Sequence, residues 1–282
     1  SEFRGNHRMK RPIGIDLFAG AGGMSLGFEQ AGFDIVAAVE IDPIHAATHK
    51  FNFPDTAIIP QSVTELTGTG IRRAAGIGSR RVDVVFGGAP CQGFSLIGAR
   101  ALDDPRNALV RDFVRITREL DADHFVFENV KGITVGKHVS FLRELVETFE
   151  SNGYEVRLPW QVLNAANYKV PQSRERFILM GSKRGLSLPH YPSPVCRPAG
   201  KPADGSGLRA GPSCADALGD LPDAERFKTL LDSDSVKTTW GKPSAYARAL
   251  RGLSNDADAN GYRREWDPSL LTSSARTDHT PI

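Results

Sequence analysis

Short apolar runs alternate with amphipathic segments along the first two thirds of the chain. Apolar residues between the runs recur at helical spacing, first over 109–120 and again over 141–149. This alternation predicts an α/β protein in which helices cover both faces of a parallel sheet, and such sheets bind ligands beyond the carboxyl ends of their strands. The predicted strands are Ile13–Leu17, Ile35–Ile41, Val82–Phe86, Phe125–Phe127 and Phe177–Met180.

The alternating pattern of the sequence ends after Gly185, where prolines and glycines break any long helix or strand. We therefore predict a large domain over 11–185 and a smaller, weakly periodic region over 186–282, which begins with a linker. Residues 1–10 are interpreted as a tag remnant and a flexible start. The sequence contains no apolar stretch typical of a membrane span or signal peptide, so we predict no membrane partner.

Composition and charge narrow the class of protein only slightly. The net charge of +2 is too small to indicate a nucleic-acid binder, so contact with nucleic acid would depend on local patches. One candidate patch contains Lys169, Arg174, Arg176, Lys183 and Arg184. The three cysteines lack metal-type spacing, which favours a reduced, cytoplasmic protein. His45 and His49 share a helical face without a third ligand, so we predict surface or core histidines and no metal site.

A glycine-rich turn follows the first predicted strand, in Asp16-Leu17-Phe18-Ala19-Gly20-Ala21-Gly22-Gly23-Met24-Ser25. Glycines at this place let a ligand approach the backbone next to a helix N-terminus. Glu40 ends the second strand, where a carboxylate can accept both hydroxyls of a ribose. A dehydrogenase is one alternative, but its G-x-G-x-x-G pattern is broken because Ser25 occupies the third glycine position.

A second candidate site is Phe86-Gly87-Gly88-Ala89-Pro90-Cys91-Gln92-Gly93-Phe94-Ser95. A cysteine directly after a proline, at the carboxyl end of a strand, lies at the ligand-binding edge, where nearby positive charge favours the reactive thiolate. An isolated cysteine is more often a small buried residue. The flanking glycines and the end of the strand favour the catalytic interpretation.

Polar residues also stand at the ends of later strands. Glu128 ends the run Phe125–Phe127, where a carboxylate can protonate or hydrogen-bond a substrate. Arg174 and Arg176 alternate in an extended segment, so their side chains point the same way and can bind carbonyls or phosphates. Simple ion pairs are the alternative interpretation for all three.

Six sequence blocks in order resemble the cytosine-C5 DNA methyltransferase family. They are DLFAGAGG at 16–23, Glu40, GGAPCQGFS at 87–95, DPRNAL at 104–109, ENVKG at 128–132 and PQSRERF at 171–177. The resemblance covers residues 12–182. It implies a Rossmann-like S-adenosylmethionine-dependent methyltransferase fold with a smaller, partial target-recognition region in 186–282, and double-stranded DNA as the partner.

The resemblance also implies roles for single residues. Cys91 would attack C6 of a flipped-out cytosine, Glu128 would bind N3 and the exocyclic amine, Arg176 would contact O2, and Arg174 would position the cysteine loop. S-adenosylmethionine would be bound by Phe18, Ala19, Gly20, Gly22, Gly23, Glu40, Ile41, Ser62, Val63, Pro90 and Leu109. Ser62 stands where the family carries an acidic residue for the adenine amino group, which predicts a reduced cofactor affinity.

Two late family segments, a threonine-containing helix and a Gly-Asn segment, are not found before Ile282. We therefore expect weak methylation by the chain alone and a gain from a complementary C-terminal polypeptide. The alternatives are a cofactor- or DNA-binding subunit without turnover of its own and a tRNA cytosine-C5 methyltransferase. The sequence PCQGFS around Cys91 favours DNA over tRNA as the substrate, because tRNA cytosine-C5 methyltransferases tend to carry a different set of residues around the Pro-Cys dipeptide.

Overall fold

An eight-stranded sheet forms the centre of the fold in the computed structural model, which describes residues 11–90, 104, 107–136, 138–251, 253, 261–262, 267 and 269–272. Its strands are β1 (Ile13–Leu17), β2 (Asp34–Val39), β3 (Ala57–Ile59), β4 (Val84–Gly87), β5 (His124–Val130), β6 (Tyr154–Val156), β7 (Gln161–Asn164) and β8 (Glu175–Lys183). They lie side by side in the order β3-β2-β1-β4-β5-β8-β6, and β7 pairs with β8. All five predicted strands are confirmed.

The expectation of a wholly parallel sheet is wrong at one strand. β1 to β5 are parallel to one another, whereas β8 runs antiparallel to both β5 and β6. Helix α5 (His138–Ser151) connects β5 to β6. These two strands are not neighbours in the sheet, because β8 lies between them. The chain enters β8 from β7 without another α-helical crossover, and parallel pairing requires such a crossover.

In the described part of the chain, the α-helices that connect the strands of the sheet are α1 (Gly23–Gln30), α2 (Pro43–Asn52), α3 (Gly68–Ala74), α4 (Ala108–Glu119) and α5. The helical spacing over 109–120 and 141–149 is confirmed by α4 and α5. Their buried sides include Phe113 and Phe149, which pack with Phe127 in the main core on one face of the sheet. On the other face, Phe28 of α1 stacks on Phe86 of β4 with 3.8 Å between ring centroids. Both faces are therefore covered, as the alternation of strands and helices predicts.

The chain forms two units by its internal contacts. Unit 1 holds the described residues of Ser1–Leu163, Glu175–Ser193 and Ala259–Tyr262, and unit 2 holds those of Asn164–Arg174, Pro194–Asp258 and Arg263–Ile282. The predicted domain limits of 11–185 and 186–282 stay a prediction, and the contact units differ from them chiefly by assigning Asn164–Arg174 to unit 2. No helix in the described part of the chain is long and apolar enough to cross a membrane.

Unit 2 is built from short elements, namely α6 (Cys214–Leu218), α7 (Ala245–Leu250), β9 (Val236–Lys237) and β10 (Leu270–Leu271). A buried ion pair lies among them. Arg251 donates to both carboxylate oxygens of Asp220, whose pKa is lowered chiefly by this hydrogen-bonded guanidinium. The guanidinium also lies over the ring of Trp240, 4.6 Å from the ring centroid. This polar centre holds together a unit that has few long elements.

Candidate cofactor and active site

The order of the strands creates a crevice between β1 and β4. From β1 the chain moves outward to β2 and β3, and it then returns to β4 and moves the opposite way to β5. Loops that leave two such neighbouring strands diverge, and ligands of open α/β sheets bind between them. Leu17, at the end of β1, pairs with Gly87, at the end of β4. The two loops singled out in the sequence therefore start side by side.

The loop after β1 has an unusual backbone. Phe18, Gly20 and Gly22 all adopt positive φ, at 63°, 53° and 100°. Gly22 needs to be glycine for a second reason, because a Cβ atom there would overlap the ring of Phe53. Ala19 is buried and donates its N–H to the carbonyl of Val39, 3.0 Å away, which ties the loop to β2.

Two glycines of this loop leave open space around the backbone. A Cβ atom added at Gly20 or at Gly23 would meet no atom within 4 Å. Gly23 starts α1, so the N-terminus of this helix follows the glycine loop directly. The half-buried ring of Phe18 packs against the main core. The loop therefore offers a flat ring, unobstructed backbone and a helix N-terminus to a ligand.

Glu40 follows β2 and binds the glycine loop directly. Its Oε2 accepts the N–H of Gly20 at 2.7 Å, and its Oε1 accepts the N–H of Asp42 at 2.8 Å. Each carboxylate oxygen keeps a further lone pair for a ligand hydroxyl. Ile41, the next residue, is 67% exposed. Glu40 is thus oriented before any ligand binds.

The residues after β3 lie at the same edge because β3 is parallel to β2. Ser62 caps the 3-10 helix Val63–Glu65 by accepting the N–H of Thr64, and Val63 is buried. The Ser62 hydroxyl also lies 2.8 Å from that of Thr64. A hydroxyl, and no carboxylate, therefore occupies this position.

A side chain from β5 holds the loop after β4. Asn129 is buried and donates its amide Nδ2 to the carbonyl of Ala89 at 2.9 Å. Pro90 follows Ala89 and is exposed. Cys91 comes next in the sequence and lies outside the described residues. Leu109, in the first turn of α4, is half-buried.

Glu128 and Arg176 form an ion pair at the end of β5. The guanidinium Nε lies 2.8 Å from Oε1 of Glu128, and about a quarter of each side chain is exposed. The two residues come from adjacent antiparallel strands, where Arg176 pairs with Val130 and Ile178 pairs with Glu128. A Cβ atom at Gly88 would overlap Oε2 of Glu128, so glycine lets this carboxylate reach the loop after β4.

Arg174 and Arg176 fall in different contact units of the chain. Arg174 belongs to unit 2 and its side chain is exposed, whereas Arg176 belongs to unit 1. The N–H of Arg174 donates to the side-chain oxygen of Asn164 at 3.1 Å, and its carbonyl accepts the N–H of Ala165. The structure brings Glu128 and Arg176 together, and the role predicted for Arg174 stays a prediction.

Asp16 is a buried carboxyl group behind the glycine loop. It is 1% exposed and accepts a hydrogen bond from the Ser25 hydroxyl at 2.6 Å. Burial raises the pKa of Asp16 to about 7, against the hydrogen bonds from Ser25, and the nearby charge of Glu40 raises it further. The sequence placed Asp16 before the glycines without indicating that its pKa is raised to about 7.

Two polar residues of the site were not predicted from the sequence. Asn129 was part of the ENVKG block, and its contact with Ala89 depends on the pairing of β4 with β5. His49 was interpreted as a surface or satisfied core histidine together with His45. His45 is exposed, whereas His49 is buried, its Nδ1 lies 3.2 Å from the carbonyl oxygen of Gly20, and its Nε2 has no hydrogen-bond partner among the described residues.

Comparisons with known proteins agree on one family. The family model described as C-5 cytosine-specific DNA methylase matches residues 13–242. The chain is 58% identical to the type II methyltransferase M.XorII of Xanthomonas oryzae, over 97% of this chain and 61% of that protein. It is 39% identical to the type II methyltransferase M.AquIA of Picosynechococcus, over 74% of this chain and 89% of that protein. The chain therefore spans less than two thirds of M.XorII.

Solved structures give the same result at the level of the fold. A protein described as a DNA modification methyltransferase encoded within an E. coli prophage superposes with a TM-score of 0.65 and 31% identity, over 85% of this chain and 64% of that chain. A mutant DNMT2 of Spodoptera frugiperda superposes with a TM-score of 0.55 and 25% identity, over 76% of this chain and 61% of that chain. The sheet order described above is thus that of a Rossmann-like methyltransferase fold.

Proposed function

Because the chain belongs to the C-5 cytosine-specific DNA methylase family, we propose that it transfers a methyl group from S-adenosylmethionine to C5 of a cytosine in double-stranded DNA. The observation that carries this proposal is the ion pair of Glu128 with Arg176, beside the loop that leads to Cys91. The bacterial relatives favour a cytoplasmic location, where the DNA lies.

The two charged groups fit the polar edge of cytosine. That edge presents an amino donor at C4, an acceptor at N3 and a carbonyl acceptor at C2 in a row. Glu128 would accept from the amino group and hold a proton at N3, and Arg176 would donate to the C2 carbonyl. The 2.8 Å contact between the two side chains keeps them as close as adjacent atoms of the base require.

Cys91 would act as the nucleophile. Its thiolate Sγ would form a bond with C6 of cytosine, and the electron pair of the C5–C6 double bond would move towards C5. A proton held at N3 by Glu128 would neutralise the charge that this addition creates on the ring. After C5 has gained the methyl group, loss of the C5 proton would expel the Cys91 thiolate and restore the double bond.

The residues around the crevice fit an adenosyl ligand. Glu40 keeps free lone pairs for the ribose hydroxyls, and the open space at Gly20 and Gly23 admits a ligand close to the backbone. S-adenosylmethionine, when bound, supplies an electrophilic methyl group. The residues that would hold it are Phe18, Ala19, Gly20, Gly22, Gly23, Glu40, Ile41, Ser62, Val63, Pro90 and Leu109.

A basic surface of unit 2 supports DNA as the partner. The stretches 164–174 and 194–211 contain five cationic side chains and a single carboxylate, Asp204. Their backbones are joined, since the carbonyl of Asn167 accepts from Val195 and Cys196, and the carbonyl of Arg209 accepts from Arg197. Such a surface suits a phosphate backbone. We name these five residues the basic surface: Lys169, Arg174, Arg197, Lys201 and Arg209.

The base must leave the duplex for this chemistry, because addition at C6 requires access to a ring face that stacking covers. Unstacking one base costs a few kcal/mol. Binding energy from phosphate contacts can offset that cost, which gives the basic surface a place in the reaction. Arg174, predicted to position the cysteine loop, belongs to this surface.

The direct test is to incubate the chain with tritiated S-adenosylmethionine and mixed duplex DNA, and to measure label in 5-methylcytosine. We expect Cys91→Ala to abolish labelling, because no thiolate remains to activate C5. Cys214→Ala is the matched control, since Cys214 is an exposed cysteine of unit 2. DNA that contains 5-fluorocytosine should trap a covalent adduct at Cys91, since the C5 substituent cannot leave.

Three outcomes of this assay would contradict the proposal. They are an adduct that maps to Cys196 or Cys214, full labelling by Cys91→Ala, and label that enters a tRNA competitor in place of duplex DNA. The same assay with an added polypeptide carrying the two late family segments tests the expected gain from a complementary chain.

A further inference from the structure

His49 lies in the last turns of α2 and packs under the glycine loop. Its side chain is fully buried. Its ring lies 4.6 Å from the ring of Phe53, which in turn fills the space beside Gly22. The Nδ1 atom lies 3.2 Å from the carbonyl oxygen of Gly20. His49 therefore reaches the same glycine that Glu40 binds from the other side.

Gly20 is held through both of its backbone polar groups. Its N–H donates to Glu40 at 2.7 Å, and its carbonyl lies at hydrogen-bond distance from His49. These two groups belong to the peptide planes on either side of a residue with a φ of 53°. Fixing both planes fixes the one residue between them. The conformation of the loop thus depends on one side chain after β2 and one on α2.

The chemistry of the partner determines the form of the imidazole. A carbonyl oxygen only accepts, so Nδ1 of His49 must carry the hydrogen. In the neutral ring Nε2 is then an acceptor, and it has no partner among the described residues. A buried acceptor without a donor is unfavourable. A phenyl ring would fill the same volume without this loss, so packing alone does not account for an imidazole here.

We propose that His49 is a positioning residue for the cofactor: its Nδ1–H holds the Gly20 carbonyl and so keeps the glycine loop and Glu40 in the arrangement that receives the adenosyl ligand. This inference rests on the proposed function for the identity of the ligand. It assigns His49 no contact with the ligand and no part in the chemistry at Cys91.

Three substitutions distinguish the effect of losing the His49 hydrogen bond from the effect of changing the side-chain volume. His49→Asn places an amide nitrogen at the position of Nδ1, His49→Gln places one at the distance of Nε2, and His49→Phe fills the space without a donor. The control is His45→Phe, because His45 lies on the same helix and is exposed. Comparing Asn with Gln keeps the test valid even where the Phe variant fails to fold.

The first readout is the Kd for S-adenosylmethionine by titration calorimetry. We expect a rise of about tenfold for the Phe and Gln variants, as the loss of one hydrogen bond predicts, and a change within about twofold for Asn and for the His45 control. With saturating cofactor, kcat should change by less than about twofold, since the bond positions the loop and not the reacting base. Equal Kd values for wild type, Phe and Gln would overturn the proposal, as would a loss in Asn as large as that in Gln.

The second readout needs no ligand. Amide hydrogen exchange of residues 18–23 should become faster in the Phe and Gln variants and stay unchanged in Asn. This result distinguishes the two proposals. Faster exchange in a chain that binds no S-adenosylmethionine would contradict the proposed function and retain His49 as the residue that holds the loop. Unchanged exchange in all variants would contradict the role of His49 and leave the proposed function intact.

Discussion

The buried carboxyl group of Asp16 makes the stability of the protein depend on pH. Its pKa is raised from 3.8 to about 7, first by burial and then by the charge of Glu40. Between these two values the folded chain binds more protons than the unfolded chain, so this residue's contribution to stability is complete below pH 4 and is lost as the pH rises through 7. At pH 8 the carboxylate is charged in a site that is 1% exposed.

Substitution of Asp16 by Asn should therefore stabilise the protein more at pH 8 than at pH 5. Asn keeps an acceptor for the Ser25 hydroxyl, which donates at 2.6 Å, and removes the titration. We expect the difference between wild type and variant to grow by on the order of 3 kcal/mol across this range, since one pKa unit corresponds to about 1.4 kcal/mol. Thermal unfolding of both proteins at several pH values measures it. Parallel curves would show that Asp16 is ionised throughout.

At the scale of the element, the loop between β1 and α1 contains adjacent glycines with opposite requirements. Gly22 has a φ of 100° and no room for a Cβ atom beside Phe53, whereas Gly23 starts α1 with open space around it. We expect Gly22→Ala to lower the free energy of unfolding by about 1–3 kcal/mol. Gly23→Ala should be neutral or stabilising by up to about 1 kcal/mol, because alanine favours the helix.

Urea unfolding of the two alanine variants measures this difference. Gly23→Ala also serves as a test of the cofactor site, because a methyl group there would enter the space proposed for the ligand. A weaker affinity for S-adenosylmethionine with unchanged stability is the expected combination. If both variants unfold like wild type, the positive φ at Gly22 is not a requirement of the loop.

How much of the fold could be predicted differs between elements. Buried strands such as β1 and β4 are continuous apolar runs, so the sequence alone identifies them. β3 and β6 have three residues each, which is too short for a pattern. The direction of β8 is not encoded in its own residues, since it depends on the absence of a helical crossover before it.

In the candidate site, too, some residues could be predicted from the sequence and others could not. Gly20 and Glu40 follow strands directly, so their neighbourhood follows from the rule that ligands bind at the carboxyl ends. His49 and Asn129 act through single hydrogen bonds across elements, and nothing in the local sequence specifies the partner. Their roles emerge only when α2 is packed on the loop and β5 is paired with β4.

At the scale of the whole molecule, charge is distributed unevenly within unit 2. The basic surface has one acidic neighbour, Asp204, whereas 212–258 contains eight acidic and six basic residues. Charge neutralisation of DNA phosphates releases counterions, so each lost contact should flatten the plot of log Kd against log salt by about 0.9.

Replacing three cations of the basic surface, Lys169, Lys201 and Arg209, by Gln should reduce the salt slope for duplex DNA by about two to three. The control replaces Lys228, Lys237 and Lys242 by Gln, which removes the same charge from other exposed positions of unit 2. Fluorescence anisotropy with labelled duplex at several salt concentrations measures both. Equal slopes in the two triple variants would show that the basic surface has no special contact with phosphate.

The reversed direction of β8 has a consequence for where this scaffold can vary. Because β8 is antiparallel to β5, its first residues lie beside the last residues of β5, and Arg176 pairs with Val130. The connection that feeds β8 therefore opens on the ligand side of the sheet, whereas the connection into a parallel strand opens on the opposite side. A segment exchanged or lengthened before β8 would join the sheet at that edge, while the strand itself keeps Arg176 in register with β5. That entry point is a natural place for grafting new recognition loops onto this scaffold.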